Sequence, residues 1–398
     1  MQDKALEADA SPACAAPKSG FRHEAIRHAT TTAAREARIA DRNRRLSERT
    51  LTALDDAGFA RHFVPRRWGG REGTFADVFH AAAEVAEGCA SAAWCAMLWA
   101  SHARFAAHLP EEGQKDLWGE SPNVRIAAAV MPPSGTARPV TDGWLLQGEW
   151  GVTSGVDDAD WVLLCAPETA PAVKEHTSEP RFRVCAVPRG AFTVLDTWHS
   201  TGLRGTGSNT VILDRTLVPD ARTVLLSTLL TGNGPAGRAR CHSAPAHLAG
   251  GLLFCAPALG SARRAVAAWT ERATRANGST ESGPLSRPGT QDRLARASAD
   301  VDAVALLLGE AVRRADTGEV TAHTVARNQR DAAVGIERLA TAVDLLMRAD
   351  GTHVRDVDGD FHRHWRDVLT VASHGALRLE AAAGAFARTL PVRPMDGA

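Results

Sequence analysis

Between Thr197 and Pro219 the chain reads TWHSTGLRGTGSNTVILDRTLVP, a stretch where polar chemistry and backbone freedom coincide. Gly202, Gly205 and Gly207 follow too closely for a helix. Glycines so spaced permit positive φ and let the backbone approach a flat ligand. The hydroxyls of Thr206 and Ser208 offer the polar groups such a ligand needs; the plain alternative is a decorated β-turn. His102 falls within the helical stripe Trp94, Met97, Leu98, His102 and Phe105, where packing into a core is the commoner fate of a histidine. Asp367 precedes His374 by seven residues, two turns if both are helical. The carboxylate could then hold the imidazole in one tautomer and tune its pKa, or it could serve only bundle salt bridges with Arg366. Ser154, in WGVTSG, reads on its own as a turn serine before glycine.

Composition narrows the setting. The 398 residues suffice for a large core in two or three substructures, and the formal net charge of zero carries no footprint for nucleic acid or an anionic membrane. Tyrosine is absent while tryptophan numbers ten, so phenol-like proton chemistry must come from other side chains. Seven scattered cysteines without a CxxC pair point to buried, reduced thiols. His362 and His364 stand at i and i+2, not at a helical ligand spacing, so no metal is expected. The first residues lack the apolar run of a signal peptide, and no apolar stretch reaches 18 residues. A soluble cytoplasmic protein is expected.

The elements that must position these residues fall into three blocks. Residues 1–22 read as a disordered tail and 23–120 as a helical domain, with Pro110, Glu111 and Glu112 opening its last short helix. From 121 to 225 the period changes to short runs at 126–130, 143–150, 160–166, 182–187, 192–198 and 210–218, an all-β pattern. Asp142-Gly143 is a hairpin turn in this scheme, and 168–180 an exposed loop. Helices at 252–276, 291–317, 320–348 and 361–389 make a bundle within 245–392. The fold class is α+β: helices, a central β domain, then a C-terminal four-helix bundle.

That order resembles the acyl-CoA dehydrogenase fold superfamily over residues 35–388. Within it the likeness is to two-component, reduced-flavin-dependent monooxygenases such as the 4-hydroxyphenylacetate 3-hydroxylase oxygenase components and polyketide hydroxylases. The strings that carry it are AGFARHFVPRRWGG, SAAWCAMLWASHARFAAHLPEE, GWLLQGEWGVTSGVDDADWVLL, TWHSTGLRGTGSNTV and FHRHWRDVLTVASHGAL. The resemblance implies reduced FMN (FMNH2, with FAD as the alternative) delivered by a separate flavin reductase, and O2 as co-substrate. A C4a-hydroperoxyflavin would then hydroxylate an aromatic or polycyclic small molecule of secondary metabolism, in a dry pocket with a few hydroxyls. It also implies a homotetramer or dimer.

By the same likeness Ser154 hydrogen-bonds near flavin N5, with Trp150 and Thr153 beside it. His374 faces the flavin and His102 the substrate, as base or hydrogen-bond partner. Arg204 and the loop of Thr206, Gly207 and Ser208 border the isoalloxazine or its phosphate. Arg272, Arg275 and Arg287 are candidates to reach a neighbouring subunit's flavin. No carboxylate stands between Asp367 and Leu379, so the usual base of an acyl-CoA dehydrogenase is missing there. Dehydrogenation, N-oxygenation of an amine or amino sugar, and a non-catalytic scaffold are the competing expectations.

Overall fold

The computed structural model describes residues 20–169, 180–234, 237–277, 284–349 and 359–391. Most of the expected tail and of the 168–180 loop lie outside them. The first block holds α1 (His23–Asn43), α2 (Glu48–Ala57), α3 (Phe75–Gly88), α4 (Ala90–Ala106) and α5 (Glu111–Trp118). Local chemistry sets these limits: Ser47 and Thr74 cap α2 and α3 by accepting from Thr50 N and Asp77 N, and Gly58 ends α2 at φ 82°. Ile26, Ala29, Ala33, Ala37 and Ala40 form the buried stripe of α1.

Among the described residues eight strands follow: β1 (Ile126–Ala129), β2 (Thr136–Val140), β3 (Gly143–Thr153), β4 (Trp161–Pro167), β5 (Phe182–Pro188), β6 (Thr193–Leu195), β7 (Asn209–Val218) and β8 (Thr223–Leu225). They form two four-stranded sheets, ordered β1-β4-β5-β8 and β2-β3-β7-β6. Trp150, Leu146, Val162, Leu164, Val187, Val211 and Leu213 fill the space between the sheets. The hairpin at Asp142-Gly143 is present, with Val140 paired to Gly143. The sequence pattern did not mark β2 and β8; TARPV carries a proline and TVL has only three residues.

Short helices α6 (Leu226–Thr231) and α7 (Arg240–Ser243) lead to the bundle of α8 (Ala246–Asn277), α9 (Pro288–Thr317), α10 (Ala322–Ala349), α11 (Asp360–Ala372) and α12 (Leu379–Ala387). The helix expected over 361–389 is broken. α11 stops at Ala372, and a single 3-10 turn (Gly375–Leu377) intervenes before α12. The side chain of His374 accepts from Ala376 N at 3.2 Å and so caps that turn. α8 is the bundle element that reaches the first block: Gly260 lies so close to the Ala83 carbonyl of α3 that a Cβ there would overlap it. One hydrophobic core therefore runs from α1–α4 through α8 into α9–α11.

Candidate active site

The end of β3 is irregular where the site begins. Its register against β7 shifts between Trp150 and Thr153, and Val152 sits in the bulge at φ 56°, a conformation a β-branched residue rarely adopts. Thr153 Oγ1 closes the bulge by donating to Trp150 O at 3.2 Å. The chain then turns through Gly155 at φ 69°, whose N–H donates to Thr206 O at 2.7 Å. That bond joins the strand end to the glycine loop.

A row of buried hydroxyls runs along the junction. Trp94 Nε1 of α4 donates to Ser154 Oγ at 3.1 Å. Ser154 Oγ lies 2.7 Å from Ser208 Oγ, and Ser208 Oγ 2.7 Å from Thr206 Oγ1. Thr206 Oγ1 donates to Leu203 O at 2.8 Å. On its other side the Trp94 ring meets Phe254 of α8 (centroids 5.4 Å) and His374 (5.7 Å), and Phe254 and His374 are 4.6 Å apart. Ser154 and His374, far apart in sequence, thus converge on one indole.

α4 carries the next candidate. Only Ser101 and Phe105 on this helix are not buried, and they share a face of about 100° with Trp94, Leu98 and His102. His102 is buried, and its Nδ1 lies 2.8 Å from Ile126 O of β1. A carbonyl only accepts, so Nδ1 carries the hydrogen. Burial pushes the His102 pKa down to about 4 against that bond; the ring is neutral and Nε2 is an acceptor. His374 has the opposite tautomer. Its Nδ1 accepts from Ala376 N and burial lowers its pKa, so Nε2 carries the hydrogen.

Asp367 does not meet His374. Because α11 ends at Ala372, the spacing that would align them is lost; Asp367 Oδ1 instead accepts from Leu203 N at 2.6 Å. Leu203 is held at φ 49°, where a non-glycine residue costs about 1–3 kcal/mol unless its surroundings fix it. Arg204 serves the same loop from the other side. Its Nε donates to Asp41 O of α1 at 2.9 Å and its Nη1 to Ser200 O at 3.1 Å, so it ties the loop to α1. Trp150 packs inside the sandwich, with Nε1 donating to Cys165 O at 2.9 Å, and the Thr153 side chain is fully buried; neither side chain joins the hydroxyl row. Gly207 adopts φ 49° beside Asp157, where a side chain would meet the carboxylate. Arg272 and Arg275 lie in the last turns of α8, and Arg287 immediately precedes α9. The guanidinium of Arg272 stands 5.9 Å from the Phe361 ring.

Burial raises the Asp367 pKa to about 6, against the bond from Leu203 N and the charge of Arg363. The native state then holds this proton more tightly than the unfolded chain, so its contribution to stability grows as pH falls from about 6 to about 4. Asp367→Ala should destabilise the protein by about 1–3 kcal/mol, since it leaves Leu203 N unpaired. Asp367→Asn keeps an acceptor and removes the buried charge, so it should stay within about 1 kcal/mol of the parent at pH 8. Urea unfolding of both variants decides, and equal losses would contradict the assignment.

Sequence pattern alone did not give Trp94 and Phe254 a role in the site. Trp94 heads the stripe that contains His102, which was the available signal; Phe254 is one apolar residue in the run LLFCAPALG.

A helical block, a two-sheet β block and a helical bundle, meeting where the rings of Trp94, Phe254 and His374 stand beside a row of buried hydroxyls, make this an acyl-CoA dehydrogenase-type architecture. The family model described as "Acyl-CoA dehydrogenase, C-terminal domain" matches residues 252–379. The oxygenase subunit HsaA, a flavin-dependent monooxygenase of Mycobacterium tuberculosis, is 30% identical over 345 residues, covering 84% of this chain and 86% of that protein. The oxygenase component of the FADH(2)-dependent resorcinol hydroxylase of a Rhizobium species is 30% identical, covering 87% and 88%. The crystal structure of 3-HSA hydroxylase from a Rhodococcus species superposes with a TM-score of 0.85 at 25% identity, covering 93% of this chain and 97% of that one. The chain belongs to the oxygenase components of the flavin-dependent monooxygenases. Such components work with reduced flavin and O2, and with a separate reductase component. Among the described residues no cluster of side chains could hold a metal ion, and no helix is long and apolar enough to cross a membrane.

Proposed function

We propose that the cleft beside Trp94 takes reduced FMN, with FAD as the alternative, and that the protein hydroxylates a phenolic or polycyclic aromatic molecule. The observation that carries this is the convergence of Ser154, His374 and Phe254 on the indole of Trp94, the helix α4 that bears Trp94 also carrying the neutral His102. Bound reduced flavin together with O2 supplies an electrophilic oxygen atom. The chain's own residues do the rest. Trp94, Phe254 and His374 wall the ring site and keep water away. His102 Nε2 accepts the hydrogen of a substrate hydroxyl, which enriches the aromatic carbon next to it. His374 Nε2–H donates a hydrogen bond toward the cleft. Ser154 holds the flavin edge. A homotetramer or dimer, with Arg272, Arg275 or Arg287 reaching a neighbour's flavin phosphate, completes the proposal.

The test mixes the protein anaerobically with reduced FMN, admits oxygen, and follows absorbance with and without a panel of phenols. Hydroxylated product from at least one phenol, with oxygen consumed in proportion, is expected. Ser154→Ala should speed the return of oxidised-flavin absorbance roughly tenfold or more and lower product yield. If reduced FMN and reduced FAD both reoxidise in the presence of protein as they do free in buffer, the proposal fails.

A further inference from the structure

The hydrogens of the buried hydroxyl row can be assigned one by one. Leu203 O can only accept, so the single hydroxyl hydrogen of Thr206 points to it (2.8 Å). Thr206 Oγ1 has then no hydrogen for Ser208, so the 2.7 Å contact between them is filled by the hydrogen of Ser208. The 2.7 Å contact between Ser208 and Ser154 must in turn be filled by the hydrogen of Ser154. The indole N–H of Trp94 donates to Ser154 from the other side. Three hydroxyl hydrogens serve three contacts in one direction only. Ser154 has used its hydrogen and one lone pair, and a single lone pair remains for the cleft.

A hydroxyl in this state can accept from a ligand and cannot donate to it. Reduction of an isoalloxazine places a hydrogen on ring N5; in the oxidised ring the same nitrogen presents a lone pair. We propose that Thr206 and Ser208, by fixing the direction of this relay, make the site selective for reduced over oxidised flavin. The proposal rests on the reading of the cleft as a flavin site with Ser154 at the N5 edge. Thr206 is the element that sets the direction. Leu203 O also accepts from Trp198 Nε1 at 3.0 Å and from Thr206 N at 3.1 Å, so it stays satisfied when the Thr206 hydroxyl is removed. In Thr206→Val the hydrogen of Ser208 is released to Ser154, and the hydrogen of Ser154 is released to the cleft. The variant then offers oxidised flavin the donor that the parent withholds.

The experiment is anaerobic titration of the full-length protein with oxidised FMN and with dithionite-reduced FMN, for the parent, Thr206→Val and Thr206→Ser. The parent should bind reduced FMN at least about tenfold more tightly, the size of one well-placed hydrogen bond. Thr206→Val should gain about tenfold for oxidised FMN and change less than about threefold for reduced FMN. The two-electron midpoint potential of bound FMN should then fall by about 30 mV, the equivalent of that tenfold change. Thr206→Ser should restore the parent ratio. Equal weakening of both redox forms in Thr206→Val would mark a merely structural threonine and overturn the proposal, as would an unchanged ratio. Failure of the parent to bind FMN or FAD, each tried in both redox forms, would instead overturn the flavin assignment itself, and this inference with it.

Discussion

Lowering the pH from 7 should unfold the protein cooperatively, with a midpoint at about pH 5, well above the range where carboxylate protonation alone acts. Four buried histidines carry the effect. His62 is fully buried with Nε2 2.8 Å from Thr74 O, and burial brings its pKa to about 4. His102 is held at about 4 by burial. His108, which accepts from Arg238 Nη1 at 2.8 Å, is at about 4 through burial and the charges of Arg238 and Arg104. His364 is fully buried beside Arg363 and falls to about 3. In the unfolded chain each takes up a proton near pH 6.5, so the unfolded state binds more protons at every pH between there and about 4. The stability these neutral rings confer is complete above 6.5 and is lost as pH falls. At pH 5 the loss is about 2 kcal/mol per ring, roughly 8 kcal/mol together, against a total stability of about 5–15 kcal/mol. Asp367, with its raised pKa of about 6, works the other way but returns only about 1 kcal/mol at that pH. Fluorescence of the ten tryptophans reports the transition. His108→Gln preserves an acceptor for Arg238 and should move the midpoint down by about 0.4 pH unit. A fold intact at pH 4, or an unmoved midpoint, would show that these rings are not neutral for the reasons given.

These histidines also mark how far the sequence was legible. The block order was readable because period and punctuation are local: the helical stripe of α3, the Asp142-Gly143 hairpin and the Pro110 start of α5 each depend on a few neighbouring residues. The glycine loop was visible for the same reason. What the loop does was not. Leu203 stands in the left-handed region and is held there by Asp367, 164 positions away; nothing near Leu203 in sequence announces it. The VASHGALRLEAAAG segment has the composition of a continuous helix, and its break at His374 is sealed by Phe254 and Trp94 from other helices. Tertiary packing overrode local propensity there. The pairing of Asp367 with His374, expected from their spacing, fails through that single break. Ser154 could be placed in the site by resemblance, but its indole partner lies 60 positions earlier.

Gly202→Ala should lower affinity for reduced FMN roughly hundredfold while leaving the helical bundle folded. Gly202 rests on α11 so closely that a Cβ would overlap the Arg366 carbonyl and come within 2.5 Å of Thr370 Oγ1. The obstacle is helical backbone, which cannot swing aside, so the loop must lift. Three anchors lift with it: Asp367 to Leu203 N, Arg366 Nη1 to Thr201 O, and Arg204 Nε to Asp41 O. The hydroxyl row has its far end at Leu203 O, so movement there reaches Ser154 through Thr206 and Ser208. Gly205→Ala is the matched control. Its Cβ would lie 3.0 Å from Ala40 Cβ, 3.1 Å from Ser91 Cβ and 3.2 Å from the Ala40 carbonyl oxygen, tight contacts that a shift of a few tenths of an ångström relieves, unlike the overlap at Gly202. It should lose much less than Gly202→Ala. Affinity is measured by anaerobic titration and bundle integrity by far-ultraviolet circular dichroism. Equal effects at the two glycines would mean that the loop is only a crowded surface turn. A loss confined to Gly202 would mean that α11, through its contact with this loop, sets the position of the hydroxyls that meet the flavin.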